Sequence, residues 1–268
     1  MIDHRLVQRT LFRMQIDSDF AGRVFEREPA ALASTGLSDE DLAWIQAADP
    51  IAISADPGGR RLSQLLGNVV AEYVASVALF VERLELTDIV SAFASSPEFH
   101  SAIRFDHSLP VIFGAYAARR LEATPDATID SILRLERVLV GARRGARAVP
   151  TPGEREVVLA GRARLVDLLA GSFDTLGQLA AGASGARELG PEAEQLLITT
   201  GPAPNPGALH SIDVEVLSAS VGEVLRAAEV PLGPAGRKAL AANRGVGADE
   251  LAEFLRSLLG EGLLEGAV

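Results

Sequence analysis

Apolar residues along this chain recur at two different spacings, and the change from one to the other divides it. From Met1 to about Ala148 they recur every three to four residues, the repeat of helices with one buried face. Leu6, Leu11, Phe12 and Met14 open the pattern, and Phe20, Val24 and Phe25 continue it. Pro29 suits the first turn of a short helix that Gly36 closes. Ser38-Asp-Glu-Asp41 reads as a helix start with acid in its first turn, ahead of Leu42, Trp44 and Ile45. A long helix is expected from Arg60 to about Arg83. Further helix starts are expected at Thr87, at Ser96-Pro97 and at Ser108-Leu-Pro110. Thr128 is the expected cap of a helix carrying Ile132, Leu133, Leu135, Val138 and Leu139.

Val149-Pro-Thr-Pro-Gly153 then interrupts the helical repeat, and shorter strand-like runs follow it. Val157-Val-Leu159, Arg164 to Leu169 and Leu196 to Thr200 are apolar and partly β-branched. Ile212, Val214 and Val216 alternate with Asp213 and Glu215, the period of a half-buried strand. A helix is expected from Asp174 to Ala180. Three compact helices come last: one through Val221, Val224, Leu225 and Ala228, one after Pro234, and one from Ala248 with Leu251, Phe254, Leu255, Leu258 and Leu259 on one face. The expected fold class is α+β and mostly α. Residues 1–148 form a helical domain, 149–153 a linker, and 154–268 a winged-helix-like domain with a small antiparallel sheet.

Composition changes this picture mainly by exclusion. At 268 residues, 48% of them hydrophobic, the chain can bury a sizeable core. It contains no cysteine, which removes disulfides, thiolate metal sites and cysteine nucleophiles together. No signal-peptide pattern stands at Met1-Ile-Asp-His-Arg5, so a cytoplasmic location is expected. The most membrane-like segment, Leu62 to Val81, carries Gln64, Asn68 and Glu72 as one polar stripe and is expected to be a buried helix of a bundle, with no membrane partner. A net charge of −11 disfavours nucleic acid.

Candidate chemistry is sparse. His100 and His107 stand seven residues apart, two helical turns on an unbroken helix and too far for one metal ion unaided. No phosphate loop, dinucleotide fingerprint, nucleophile elbow or His-Glu-x-x-His motif occurs. No catalytic residue and no metal ligand is therefore assigned. A winged helix raises DNA binding, but His210 to Val268 holds nine acids and five bases. Arg143, Arg144 and Arg147 read as cations favoured at a helix C-terminus. The same module also suits peptide capture, in which an extended peptide joins a sheet edge beside an apolar helix. Leu196, Ile198 and Thr200 would provide the edge, and Val221 and Leu225 the groove.

Several stretches carry a resemblance. They are Glu28-Pro-Ala-Ala-Leu-Ala-Ser-Thr-Gly-Leu-Ser38 with Trp44-Ile45, Ser96-Pro-Glu-Phe99, Ser108-Leu-Pro-Val-Ile-Phe-Gly-Ala-Tyr-Ala117, Leu133-Arg-Leu-Glu136, Leu165 to Gly171, and Glu253 to Leu263. Together they resemble the partner subunits that accompany multinuclear non-heme iron-dependent oxidases in the maturation of ribosomally made peptides, the methanobactin maturase pair being one such system. The resemblance implies a non-catalytic accessory subunit that forms a heterodimer with the oxidase, docks through the helical domain at Phe105, Asp106 and His107, and holds the leader of a precursor peptide with its C-terminal module. It implies no cofactor in this chain and iron in the partner subunit. The alternative is a winged-helix transcriptional regulator.

Overall fold

A computed structural model describes residues 4–16, 18–47, 65–83, 86–105, 107–122, 126–183, 189–205 and 208–268. The protein is mostly helical α+β with small antiparallel sheets, and it divides into two compact units, Met1–Pro125 and Asp126–Val268.

The first unit contains α1 (His4–Ile16), α2 (Ser18–Phe25), α3 (Pro29–Thr35), α4 (Asp39–Gln46), helical turns over 65–71, α5 (Val74–Arg83), α6 (Leu86–Ala94), α7 (Pro97–Phe105) and α8 (Leu109–Leu121). Short helices are marginal alone, so tertiary packing has to hold them. Met14, Phe20, Val24, Ala31 and Ile45 form one cluster. Elsewhere the ring of Phe93 meets Phe99, Phe113 and Tyr116 at centroid distances of 5.1–5.3 Å, and Tyr73 meets Phe113 at 5.3 Å. The Tyr73 hydroxyl donates to the Pro110 carbonyl at 2.8 Å, which satisfies a polar group inside this cluster.

Several start signals act as expected. Pro29 opens α3, and Gly36 closes it at φ 69°. The Ser38 hydroxyl accepts from the Asp41 amide. The Ser96 hydroxyl accepts from the Phe99 amide and donates to the Phe93 carbonyl. The expected single helix from Arg60 to Arg83 is interrupted: at Glu72 and Tyr73 the bonds tighten to three-residue spacing, and α5 then starts afresh. Residues 60–64 lie outside the described residues. Among the described residues, no helix is long and apolar enough to cross a membrane.

The second unit opens with α9 (Ala127–Arg143), then β1 (Val157–Leu159), β2 (Ala163–Ala170), α10 (Ser172–Ala180), β3 (Gly190–Thr200), β4 (Ile212–Val216), α11 (Ala219–Ala227), α12 (Pro234–Arg244), α13 (Ala248–Gly260) and β5 (Leu264–Gly266). The cap of α9 is Asp126 rather than Thr128; one Asp126 carboxylate oxygen accepts from the amides of both Thr128 and Ile129. The division between units falls before α9, at Pro125 and Asp126, and not at 149–153. The reason is packing. Leu135, Leu139 and Ala142 of α9 cover Val166, Leu168, Leu196 and Ile198 of the sheet, so α9 belongs with the strands.

The strands form an antiparallel sheet in the order β2-β3-β4 and a separate antiparallel pair, β1 with β5. One face of the three-stranded sheet rests on α9. On the other side Ala163 and Leu197 join Val157, Leu159, Val224, Leu225, Ala228, Leu251, Leu255, Leu258 and Leu264, a core that collects α11, α12, α13 and the β1–β5 pair. Gly222 lets α11 approach closely, because a Cβ there would overlap the Gln195 side-chain oxygen. Gly245, at φ 67°, ends α12 in the left-handed conformation and turns the chain toward α13.

Candidate functional site

The alternation of a strand decides what each residue of β3 can do. Leu196, Ile198 and Thr200 point toward α9; the first two are fully buried, and the Thr200 hydroxyl donates to the Ala142 carbonyl at 3.4 Å. Leu225 is fully buried and Val221 partly buried, but both lie in the core on the opposite face, with Leu197. The five residues expected to bind a peptide are thus separated by the sheet.

Nor is β3 an edge. It pairs with β2 from Ala163↔Thr199 onward and with β4 from Leu196↔Val216 to Thr200↔Ile212. The Thr200 amide donates to the Arg162 carbonyl on one side, and Gly201 and Leu217 bond with Ser211 and Gln195 on the other. The expectation of an open edge at 196–200 is corrected by the strand that follows it: β4 turns back and takes the position a peptide would have needed.

The two outer edges of the sheet differ. Along β2 three of the outward groups are met by side chains. Ser131 of α9 accepts from the Leu169 amide at 3.0 Å, and Arg134 and Arg147 donate at 3.4 Å to the carbonyls of Asp167 and Ala163. Along β4, Ser211 and Leu217 bond inward to β3, so the amides and carbonyls of Ile212, Val214 and Val216 point away from it. Among the described residues no strand lies beyond β4. Ile212 and Val214 rest partly on the α9 face, and Val216 is 54% exposed, as is Leu209 at 50% just ahead of the strand. Asp213 and Glu215 are exposed on the other face.

Two residues beyond β4, α11 begins at a cap in which the Ser218 hydroxyl accepts from the Val221 amide. A groove of about 430 Å³ opens there between α11, the α12–α13 turn and α13. Val221, Val246, Leu251 and Phe254 give it an apolar lining, Arg244 stands on one side, and Glu250 and Glu253 lie along α13. Arg244 is fixed by donation to the Ser220 carbonyl and by Glu223 at 3.6 Å. Of the expected peptide contacts, Val221 alone is among the described residues lining this groove.

α11 is tied to the sheet by charge. Arg226 bridges Asp167 of β2 and Glu229, and Gln195 donates to the second Asp167 oxygen at 2.8 Å. Partial burial by itself lowers the Arg226 pKa, but its hydrogen bonds to Glu229 and Asp167 outweigh this and raise it. Arg164 shows the reverse: burial first, then the like charge of Arg147, lowers its pKa while it donates to the carbonyls of Gly141 and Gly145 near the end of α9. Arg144 donates to Val140 at 2.7 Å, the helix-terminal role expected of that cluster.

The histidines are dispersed. His100 is buried within α7, whereas His107 is exposed beyond that helix's end, so the two do not share a helix. Phe105 is 56% exposed with its ring 6.0 Å from that of His107; Asp106 lies outside the described residues. His210 shares a hydrogen bond of 2.8 Å with the Gly201 carbonyl. Among the described residues, no group of three or more His, Asp or Glu side chains is close enough to hold a metal ion. No protein-family model matches the chain, and no curated protein matches it in sequence.

Proposed function

We propose that the protein is a non-catalytic accessory subunit that binds a precursor peptide and presents it to a separate iron-dependent oxidase. The observation that carries this reading is the outer edge of β4, where three residues direct their backbone groups away from β3; an apolar groove opens at α11, the helix that follows the strand. A peptide laid along β4 would gain main-chain hydrogen bonds at Ile212, Val214 and Val216. Its side chains would alternate between the two faces of the sheet. Apolar ones would continue the face of Ile212 and Val216, and basic ones would meet Asp213 and Glu215. The resemblance of Glu28–Ser38, Ser108–Ala117 and Glu253–Leu263 to oxidase partner subunits supplies the class of client. The exposed pair Phe105 and His107 would serve docking in the helical unit. The oxidase supplies the iron and the chemistry in this reading.

A second reading, a winged-helix regulator, is favoured by Arg237, Lys238 and Arg256, which surround a cavity of about 480 Å³ against α12 and α13. Affinity purification of the tagged chain from its native host separates the two. A stoichiometric companion that contains iron, together with a short precursor peptide, supports the accessory subunit. Recovery of the chain alone, with retention on duplex DNA that falls steeply as salt rises, would replace it with the regulator.

A further inference from the structure

The helical unit holds a cavity of which the proposed function uses only the lining residue Phe105. Its volume is about 400 Å³, and the side chains around it include Arg13 of α1, Arg23 of α2, Ser34 of α3, and Ser95, Ser101 and Arg104 at and along α7. This unit carries seventeen acidic and eleven basic residues, a net of −6, yet three of its guanidinium groups surround one space. Among the described residues lining that space there is no carboxylate. Like charges brought together repel, so an arrangement of this kind is most favourable with an anion between them.

The cations are positioned rather than loose. The Arg13 guanidinium lies 3.6 Å from the centre of the Phe20 ring, and its Nη1 donates to the Ser34 hydroxyl at 3.4 Å. That hydroxyl is itself oriented by donating to the Ala31 carbonyl at 2.7 Å. Arg104 lies 5.2 Å from the Phe105 ring. Arg23 is 3.8 Å from Glu28, with both side chains about half exposed, so a stronger anion can draw it inward. The first turn of α7, marked by Ser95 and Pro97 at the cavity wall, adds the positive end of a helix dipole.

Size and composition narrow the ligand. The volume falls within the roughly 300–1,000 Å³ typical of small-molecule sites. Three forked guanidinium groups suit more than one planar or tetrahedral oxyanion, because each can donate in pairs. The half-exposed Phe105 ring offers an apolar surface for a carbon framework. We propose that this cavity binds a small organic anion with more than one oxyanion group, carboxylate or phosphate. Arg13, Arg23 and Arg104 provide the counter-charge, and Phe105 covers the ligand. The proposal holds whether or not β4 receives a peptide.

Titration calorimetry and thermal unfolding of the full chain with citrate and with inorganic pyrophosphate, each against sodium chloride at equal ionic strength, test it. At least one of the two should bind saturably at one per chain and raise the unfolding temperature beyond the chloride control. Preference for citrate assigns the carboxylate class, and preference for pyrophosphate the phosphate class. Arg23→Gln and Arg104→Gln change exposed side chains, so both variants should fold, and each should weaken binding about tenfold. Arg119→Gln, which removes a partner of Glu98 outside the cavity, should leave binding unchanged. Equal binding in Arg23→Gln and Arg104→Gln, or no effect of either anion beyond chloride, overturns the assignment.

Discussion

The two units solve the problem of core formation with different side chains. Of the thirteen aromatic residues, Phe173 and Phe254 alone lie beyond Pro125. Tyr73, Phe20, Phe80, Phe93, Phe99 and Phe113 are all fully buried in the first unit, whereas the cores of the second are built from Val, Leu, Ile and Ala. The difference follows from the elements. Helices of seven to thirteen residues present few positions each, so large rings must span the gaps between them. A sheet brings alternate residues into register and can be filled by medium-sized aliphatic side chains from both faces.

The sharpest way to break this comparison is Phe93→Ala. It deletes the ring that meets Phe99, Phe113 and Tyr116, and should destabilise the first unit by about 4 kcal/mol. Segment-resolved hydrogen exchange should show α5 to α8 losing protection while α9 keeps it. Loss of α9 protection together with α8 would return α9 to the first unit. Leu196→Ala should do the converse at a cost of about 3 kcal/mol, loosening α9 and the sheet while α6 and α8 stay protected. A change that spares stability but abolishes peptide capture would instead restore Leu196 to a binding role.

A smaller effect is expected at the contact between α11 and the sheet. Gly222→Ala places a methyl group on the Gln195 side-chain oxygen. The glutamine is flexible at that end, but moving it gives up its bond to Asp167, so a loss of about 1–2 kcal/mol is expected in urea unfolding. Gly222→Ala combined with Gln195→Ala should recover part of that loss, which distinguishes a local clash from a general effect of helix propensity.

These positions also show what the sequence could and could not convey. Period and capping residues located β1 through β4 and most helix starts, because Ser38, Ser96 and Ile212–Val216 act through neighbours a few residues away. The break at Glu72 was hidden by an apolar run that continues through it. Leu264–Gly266 is too short to show a period, and its partner Val157–Leu159 lies more than a hundred residues earlier. The misplacement of the peptide edge has the same origin. Leu196 to Thr200 and Ile212 to Val216 both read as strands, but only their pairing shows which is central, and pairing is a long-range property. The arginine cavity was invisible for that reason: Arg13, Arg23 and Arg104 come from three helices and form no motif.

The smallest stability change, and the most informative one for function, is expected from Val216→Pro. Proline lacks an amide hydrogen, and within sheets it is tolerated on an edge strand where that group faces outward. The Val216 amide points away from β3, since the neighbouring Leu217 amide is the one that bonds to Gln195. The side chain is more than half exposed, so little core is lost. Stability should therefore fall by no more than about 1 kcal/mol, within the range of surface substitutions that disturb no packing. Peptide recovery with the tagged chain should nonetheless drop, because one main-chain donor is gone and the ring obstructs the adjoining strand. Asp213→Pro, whose amide lies on the β3 side opposite Thr199, is the matched control within β4 and should cost more stability because it removes a ladder donor. If Val216→Pro retains the peptide at the wild-type level, capture does not run along β4, and the α11–α13 groove at Val221 and Phe254 becomes the place to look.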